Sequence, residues 1–339
     1  MVDAVVARLR GGDATLPAWS LDEVQRNGLA TGLTALAASL GLFDDASDDV
    51  RAYAAEQRAE VARRAERFTP LTPRILAALA DADIPAVPVK GAVLGGSSGD
   101  GAVWADPTTR PMSDIDLLVD PRHRTLAAAV LERAGCRLHA SADHEDTYLA
   151  WGDGSVGRTD GESAEHNGRV EVHPGWTEFL HGYLVRGFDP LAVAVRRDDG
   201  QWRLPPAAFA AHVVGHLAST VVRCEVRAVN VLDVWFLHAA GTDWHEVAHE
   251  MRRIDPRLTA PGLWLADRLT PGLLPSEVVE GELRRLPNRA VLSSTEPAAV
   301  LREPTQRTTA RWRESFAMGA GDRVGIGRQL VGSVVGRLR

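Results

Sequence analysis

The sequence predicts an α+β fold, short strands and helices followed by a largely α-helical part. Short apolar runs of strand character are confined to residues 84–173, helical spacing of apolar residues precedes them, and after Pro205 only helical spacing remains.

The elements follow in chain order. From about Ala30 to Phe68, apolar residues (Val50, Tyr53, Ala54, Val61, Ala65, Phe68) recur at helical steps, with Ser47 as a start signal. The Thr69-Pro70 step is expected to end that helix, and a second amphipathic helix is expected over Pro73 to Asp81. The run Ile84 to Val89 reads as a strand, which the prolines at 85 and 88 place at a sheet edge or at a strand start. A short helix near 91–95 then gives way to a loop rich in Gly, Ser and Asp. Ile115 to Val119 is a strand closed by Asp120-Pro121, Thr125 to Ala134 is helical, and Cys136 to Ala140 is a further strand. Residues 152–168 are polar and glycine-rich, a loop or hairpin connection before the strand Arg169 to His173. Helices are expected over Pro206 to Thr220, Ala228 to Ala240, Trp244 to Ile254 and Ala260 to Leu269. Residues 287–304 lack pattern. The arginine-rich end reads either as a tail for an acidic partner or nucleic acid, or as a solvated terminus. The expected organisation is a helical region over 1–70, a core over 71–180, a helical domain over 181–290 and a basic tail over 291–339.

Composition narrows the function. With 45% hydrophobic and 24% charged residues in 339, the chain has the profile of a globular protein able to bury a core. A net charge of −7 argues against general nucleic-acid binding, which needs a basic surface to displace counterions, but leaves a nucleotide substrate open. Cys136 and Cys224 supply neither a disulfide framework nor metal-ligand spacing. Met1 to Trp19 lacks the apolar core of a signal peptide, and no stretch reaches the roughly 18 apolar residues of a membrane span, so a cytoplasmic protein is expected. Of 38 Lys plus Arg, only Lys90 is lysine. That pattern, with heavy use of Ala, Gly and Asp, resembles the codon bias of a high-GC bacterial genome. A lysine retained against it marks either chance or a place where a compact, rotatable ammonium is needed and a planar guanidinium is not.

The chemistry centres on Thr109 to Asp120. Alternate residues of a strand face one side, so Asp114 and Asp116 project together while Ile115, Leu117 and Val119 face the other way. Two carboxylates so placed repel unless a cation lies between them. Lysine or arginine fills that place, and a divalent metal with hard oxygen ligands fills it more completely. The alternative is a strand end with two solvated aspartates.

Here a resemblance enters. Lys90-Gly91, then Arg110-Pro-Met-Ser113-Asp114-Ile-Asp116-Leu-Leu-Val119, and later Val170-Glu171-Val172-His173, resemble the bacterial nucleotidyltransferase-like family within the DNA polymerase β superfamily. The resemblance covers roughly residues 70–250 and includes helical segments with His212, His216 and Asn230 to Asp233. It implies a small mixed sheet flanked by helices, with Asp114, Asp116 and Glu171 holding Mg²⁺ or Mn²⁺ and acting in catalysis. Glu171 paired with Arg169 in a surface ladder is the other reading. Lys90, Gly91, Arg110, Ser113 and His173 are implied to hold the donor. Most of the superfamily has Gly-Ser or Gly-Gly where this chain has Lys90-Gly91. Gly91 still permits close backbone approach, the helix that follows favours an anion, and Lys90 adds charge for phosphates. Gly95 to Gly99 is an alternative phosphate loop. Arg110 either clamps a phosphate or pairs with Asp106 or Asp114, and His173 either serves the site or caps its strand. His212 and His216 have zinc-like spacing but no third ligand, and read as packing or substrate-channel residues. The implied activity is nucleotidyl transfer from a nucleoside triphosphate to a hydroxyl or phosphate of a small molecule or peptide, without membrane involvement. A nucleotide sugar as donor in natural-product tailoring, and a non-catalytic binding protein keeping the fold, are the other two readings.

Overall fold

The computed structural model describes residues 1–98, 103–142, 145–150, 168–174, 179–180, 183–184, 190–223, 227–253 and 256–285. The connection at 152–167, the unpatterned 287–304 and the basic tail lie outside the described residues, as does Cys224. The fold is α+β, with a five-stranded mixed sheet and a helical C-terminal part. The chain groups into two compact units, Met1–Trp176 with Asp189–Pro205, and Thr177–Phe188 with Pro206–Arg339. No helix among the described residues is long and apolar enough to cross a membrane.

The first unit begins with helices α1 (Val2–Leu9), α2 (Leu21–Thr31) and α3 (Thr34–Ser39). The start of α2 is fixed by a capping box. Glu23 N–H donates to Ser20 Oγ at 3.4 Å while the Ser20 N–H donates back to Glu23 Oε2 at 2.8 Å, so two donors at the helix end are satisfied reciprocally. The sequence led to one helix over 30–68 and another over 73–81. Instead, α3 is separate, and a single helix α4 (Asp48–Asp81) runs through Pro70 and Pro73. Three features account for this. Thr69 and Thr72 donate their hydroxyls to the Ala65 and Phe68 carbonyls at 2.7 and 3.0 Å, adding a second donor to carbonyls next to the ones the prolines leave open. Glu66 and Thr69, whose carbonyls lose an N–H partner to those prolines, lie on the exposed face, where water can bond to them. The apolar stripe Val61, Phe68, Leu71, Ile75 and Leu79 is buried without interruption across them, so burial outweighs the local break.

The sheet comprises β1 (Ala86–Val89), β2 (Asp114–Val119), β3 (Cys136–Ala142), β4 (Glu145–Ala150) and β5 (Arg169–Pro174), in the order β1-β2-β5-β4-β3. Only β2 and β5 are parallel; the other neighbours are antiparallel. The proline-bearing β1 lies at an edge, where the N–H that Pro88 lacks costs no second ladder. Strand β4 had no counterpart in the sequence reading. Alternation sends Ile115, Leu117, Val119, Val170, Val172 and Tyr148 into a core closed by the second half of α4 and by Val130 and Leu131 of α6 (Arg124–Arg133). Asp114, Asp116, Glu171 and His173 thereby emerge on the opposite face.

The second unit holds α7 (Pro206–Arg223), α8 (Ala228–Ala239), α9 (Trp244–Arg253), α10 (Pro256–Leu269) and α11 (Ser276–Leu283). The four helices expected here are present, and α11 is added. Helices α7 and α10 meet backbone to backbone: a Cβ at Gly262 would lie 2.4 Å from the Val214 carbonyl oxygen, so no larger residue fits that crossing unchanged.

Candidate active site

The site grows out of the β2–β5 pairing. Register sets Asp114 opposite Arg169 and Asp116 opposite Glu171, so two carboxylates stand side by side on adjacent strands and a third stands two residues away on the same face. Antiparallel pairing with β1 sets Val89 opposite Asp116 and delivers Lys90 at the end of β1 to the same spot. Lys90 donates from Nζ to Asp116 Oδ1 at 2.8 Å, and His173 Nε2 lies 3.0 Å from the same oxygen. A nitrogen bonding to a carboxylate oxygen has to carry its proton, so His173 holds its hydrogen on Nε2 in this arrangement. Ser113 donates from Oγ to Asp114 Oδ2 at 3.0 Å.

The turn after β1 is strained in a specific way. Lys90 adopts φ 49° and ψ −123°, and Asp83 is the only other described non-glycine residue with positive φ. Such a conformation costs of order 1–3 kcal/mol for a residue with a Cβ and persists only where the surroundings hold it. Gly91 follows at the first position of α5 (Gly91–Leu94). A Cβ there would sit 2.7 Å from Met112 Cγ and 2.9 Å from Arg110 Nη1, so the loop ahead of β2 closes directly onto glycine backbone. Arg110 is itself buried. Its guanidinium lies 5.9 Å from the centroid of the Trp104 ring and donates to the Pro111 carbonyl at 3.3 Å, while Asp106 bonds Thr108 instead. The serines of the run 95–99 are turned inward. Ser97 donates to the Ala92 carbonyl and lies 3.1 Å from the Thr72 hydroxyl, and Ser98 accepts through its carbonyl from Arg203, so this segment braces α4 and α5.

Electrostatics follow from crowding. Burial, then the charges of Asp114, Asp116 and Glu145, push the Glu171 carboxyl up to about 9 against the opposing pull of Lys90. Burial and the Asp116 charge push Asp114 up to about 6, with Lys90, the Ser113 hydrogen bond and Arg110 acting the other way. Burial also disfavours the charged form of Asp116, but Lys90 and His173 outweigh it and hold this carboxyl well below the usual range. Three carboxylates thus crowd around the Lys90 ammonium, and burial with their mutual repulsion makes two of them resist ionisation.

Of the residues singled out in the sequence, Asp114, Asp116, Glu171, His173 and Lys90 converge. Gly91, Arg110 and Ser113 form the adjoining turn and loop. Among the described residues, one group of three or more His, Cys, Asp or Glu brings its ligand atoms within 4.8 Å of one another: Asp116, Glu171 and His173. His173 stands in that compact group where Asp114 was expected, and His212 and His216 form no such group. His212 is instead buried within α7. Glu145 and Thr147, on the face of β4 that lies beside Glu171, were missed, although Thr147-Tyr148-Leu149 carries β-formers that signal the strand. Trp104 beneath Arg110 had no sequence signal.

A family model described as "Uncharacterised nucleotidyltransferase" matches residues 17–271. No curated protein matches the chain. Among solved structures, the solution structure of the antibiotic-resistance factor ANT(2'')-Ia matches at 15% identity, covering 54% of this chain and 89% of that one, with a TM-score of 0.36, a likeness too slight to carry weight.

Proposed function

The chain belongs to this uncharacterised nucleotidyltransferase family, and we propose that it is a divalent-metal-dependent enzyme of the DNA polymerase β type. Its proposed reaction moves a nucleotidyl group from a nucleoside triphosphate to a hydroxyl or phosphate of a small molecule or peptide. The observation that carries this reading is the in-register placement of Asp116 and Glu171 on parallel strands, with Asp114 on the same face. Carboxylate oxygens and one imidazole are a donor set that suits Mg²⁺ or Mn²⁺, and the raised Glu171 and Asp114 carboxyls mark a place short of positive charge. Asp116, Glu171 and His173 or Asp114 are the residues that would hold the ion. When bound, it neutralises charge on the phosphoryl oxygens and activates the attacking oxygen.

The protein's own groups supply the rest. The Lys90 ammonium offers a mobile charge to the triphosphate, Arg110 adds its field from beneath, and Ser113 fixes the orientation of Asp114. Glu171, ionised once the ion is bound, stands beside Asp116 as the carboxylate to receive the proton of an acceptor hydroxyl. The acceptor oxygen forms a bond to the α-phosphorus, the bridge to the β-phosphate breaks, and pyrophosphate leaves.

Calorimetric titration of a nucleotide panel against wild type and Asp116→Asn, with and without Mg²⁺, tests the reading. Mg²⁺-dependent binding of a nucleoside triphosphate that Asp116→Asn loses is the expected result. Binding of nucleotide sugars alone would replace the donor class, and no nucleotide binding at all would sink the proposal.

A further inference from the structure

Lys90 is the only lysine in the chain, and it occupies a backbone conformation that glycine would adopt without steric cost. The turn itself therefore gains nothing from lysine, and the side chain is what the position keeps. That side chain ends 2.8 Å from Asp116 Oδ1. Asp116 is also the most buried member of the Asp116–Glu171–His173 group, its side chain only 3% exposed. An ion held by that group and the Lys90 ammonium draw on the same carboxylate.

We propose that Lys90 is a resident counter-ion that a divalent metal displaces, and that the displaced ammonium then turns to the nucleotide phosphates. This rests on the metal-dependent reading above and deepens it. Metal alone has to evict Lys90, and triphosphate alone has to draw Lys90 off Asp116 and leave carboxylates without their cation. Each therefore binds weakly by itself and each strengthens the other, a coupling that is reciprocal by thermodynamic necessity. Lysine suits the role because its ammonium is compact and swings on a flexible stem, whereas an arginine fork would stay locked on the carboxylate.

A chain with one lysine permits a direct test. Protein carrying ¹³C,¹⁵N-lysine gives a single side-chain Nζ signal, from Lys90, that needs no assignment. Titration with Mg²⁺ is followed on that signal and by calorimetry, for wild type, Lys90→Met and Lys90→Gly, the last chosen because glycine fits the turn without strain. The expected result is a lysine signal that moves in step with Mg²⁺ binding, together with Mg²⁺ affinity about tenfold or more higher in both variants in the absence of nucleotide. Mg²⁺ bound by wild type with the lysine signal unmoved, or bound equally by all three proteins, overturns the displacement and leaves the metal site standing. No Mg²⁺ binding by any of them, even with a non-hydrolysable triphosphate present, overturns both.

Discussion

A carboxyl buried among other carboxylates makes the metal-free fold depend on pH in a direction that can be worked out. Glu171 is raised from 4.5 to about 9, so the folded state holds this proton more tightly than the unfolded chain does. Its contribution is complete below the unfolded value and is lost as pH rises through the folded one. Glu171→Gln keeps the shape and removes the ionisation. In chelator, the variant and wild type should melt together near about pH 5, and the variant should melt a few degrees higher near about pH 9. Parallel melting curves across that range would mean that Glu171 does not feel its neighbours. At this scale much was legible in the sequence, because strand alternation alone puts Asp114 with Asp116 and Glu171 with His173. Alternation gives a face and no distance, so the shared Asp116 oxygen between Lys90 and His173 was not readable. Nor was the positive φ of Lys90, since the usual signals for that conformation are Gly, Asn and Asp.

Helix α4 shows why elements are harder to bound than to detect. Proline is a local veto that tertiary burial can overrule, and the stripe from Val61 to Leu79 did so with the help of Thr69 and Thr72. Strand β4 was missed for the opposite reason: its signal, at Thr147 and Tyr148, is short, and its pairing with β3 and β5, which decides it, is a long-range fact. The same helix α4 carries a prediction about what its burial costs. Glu60 bonds Arg64 at 3.0 Å with both side chains 2% exposed, and also bonds Arg63, whose side chain is 56% exposed. Glu60→Leu leaves the Arg64 guanidinium buried without that counter-charge and should cost about 3 kcal/mol in equilibrium unfolding. Arg63→Ala removes only the solvent-screened partner and should change stability by roughly 0.5 kcal/mol or less. Similar losses for the two variants would show that Glu60 acts through the exposed pair instead.

For the whole molecule, class was legible because the strand-like runs and the helix-only stretch occupy separate parts of the chain; the mixed order of the sheet came only through the family resemblance. The chain carries a net charge of −7, and the first unit concentrates three carboxylates on one sheet face, so a divalent ion should stabilise the fold with its own pH signature. A bound ion stabilises in proportion to the logarithm of its concentration over its dissociation constant, and each proton it must displace weakens its apparent affinity about tenfold per pH unit below that group's pKa. Below about 9 one proton has to leave Glu171, and below about 6 a second has to leave Asp114. At a fixed millimolar Mg²⁺ the stabilisation should therefore grow with pH between those two values, by up to about 1.4 kcal/mol per pH unit. Over the same window the metal-free protein loses stability as Glu171 ionises. With the ion bound, Glu171 is already ionised and that loss is absent, so the gap in Tm between Mg²⁺ and chelator should open steadily as pH rises. Glu171→Gln, with no proton to release at that position, should show a small gap with little slope above about pH 6. A wild-type gap that stayed constant with pH would mean that Mg²⁺ binds away from these carboxylates, because an ion that displaces no proton carries no pH dependence.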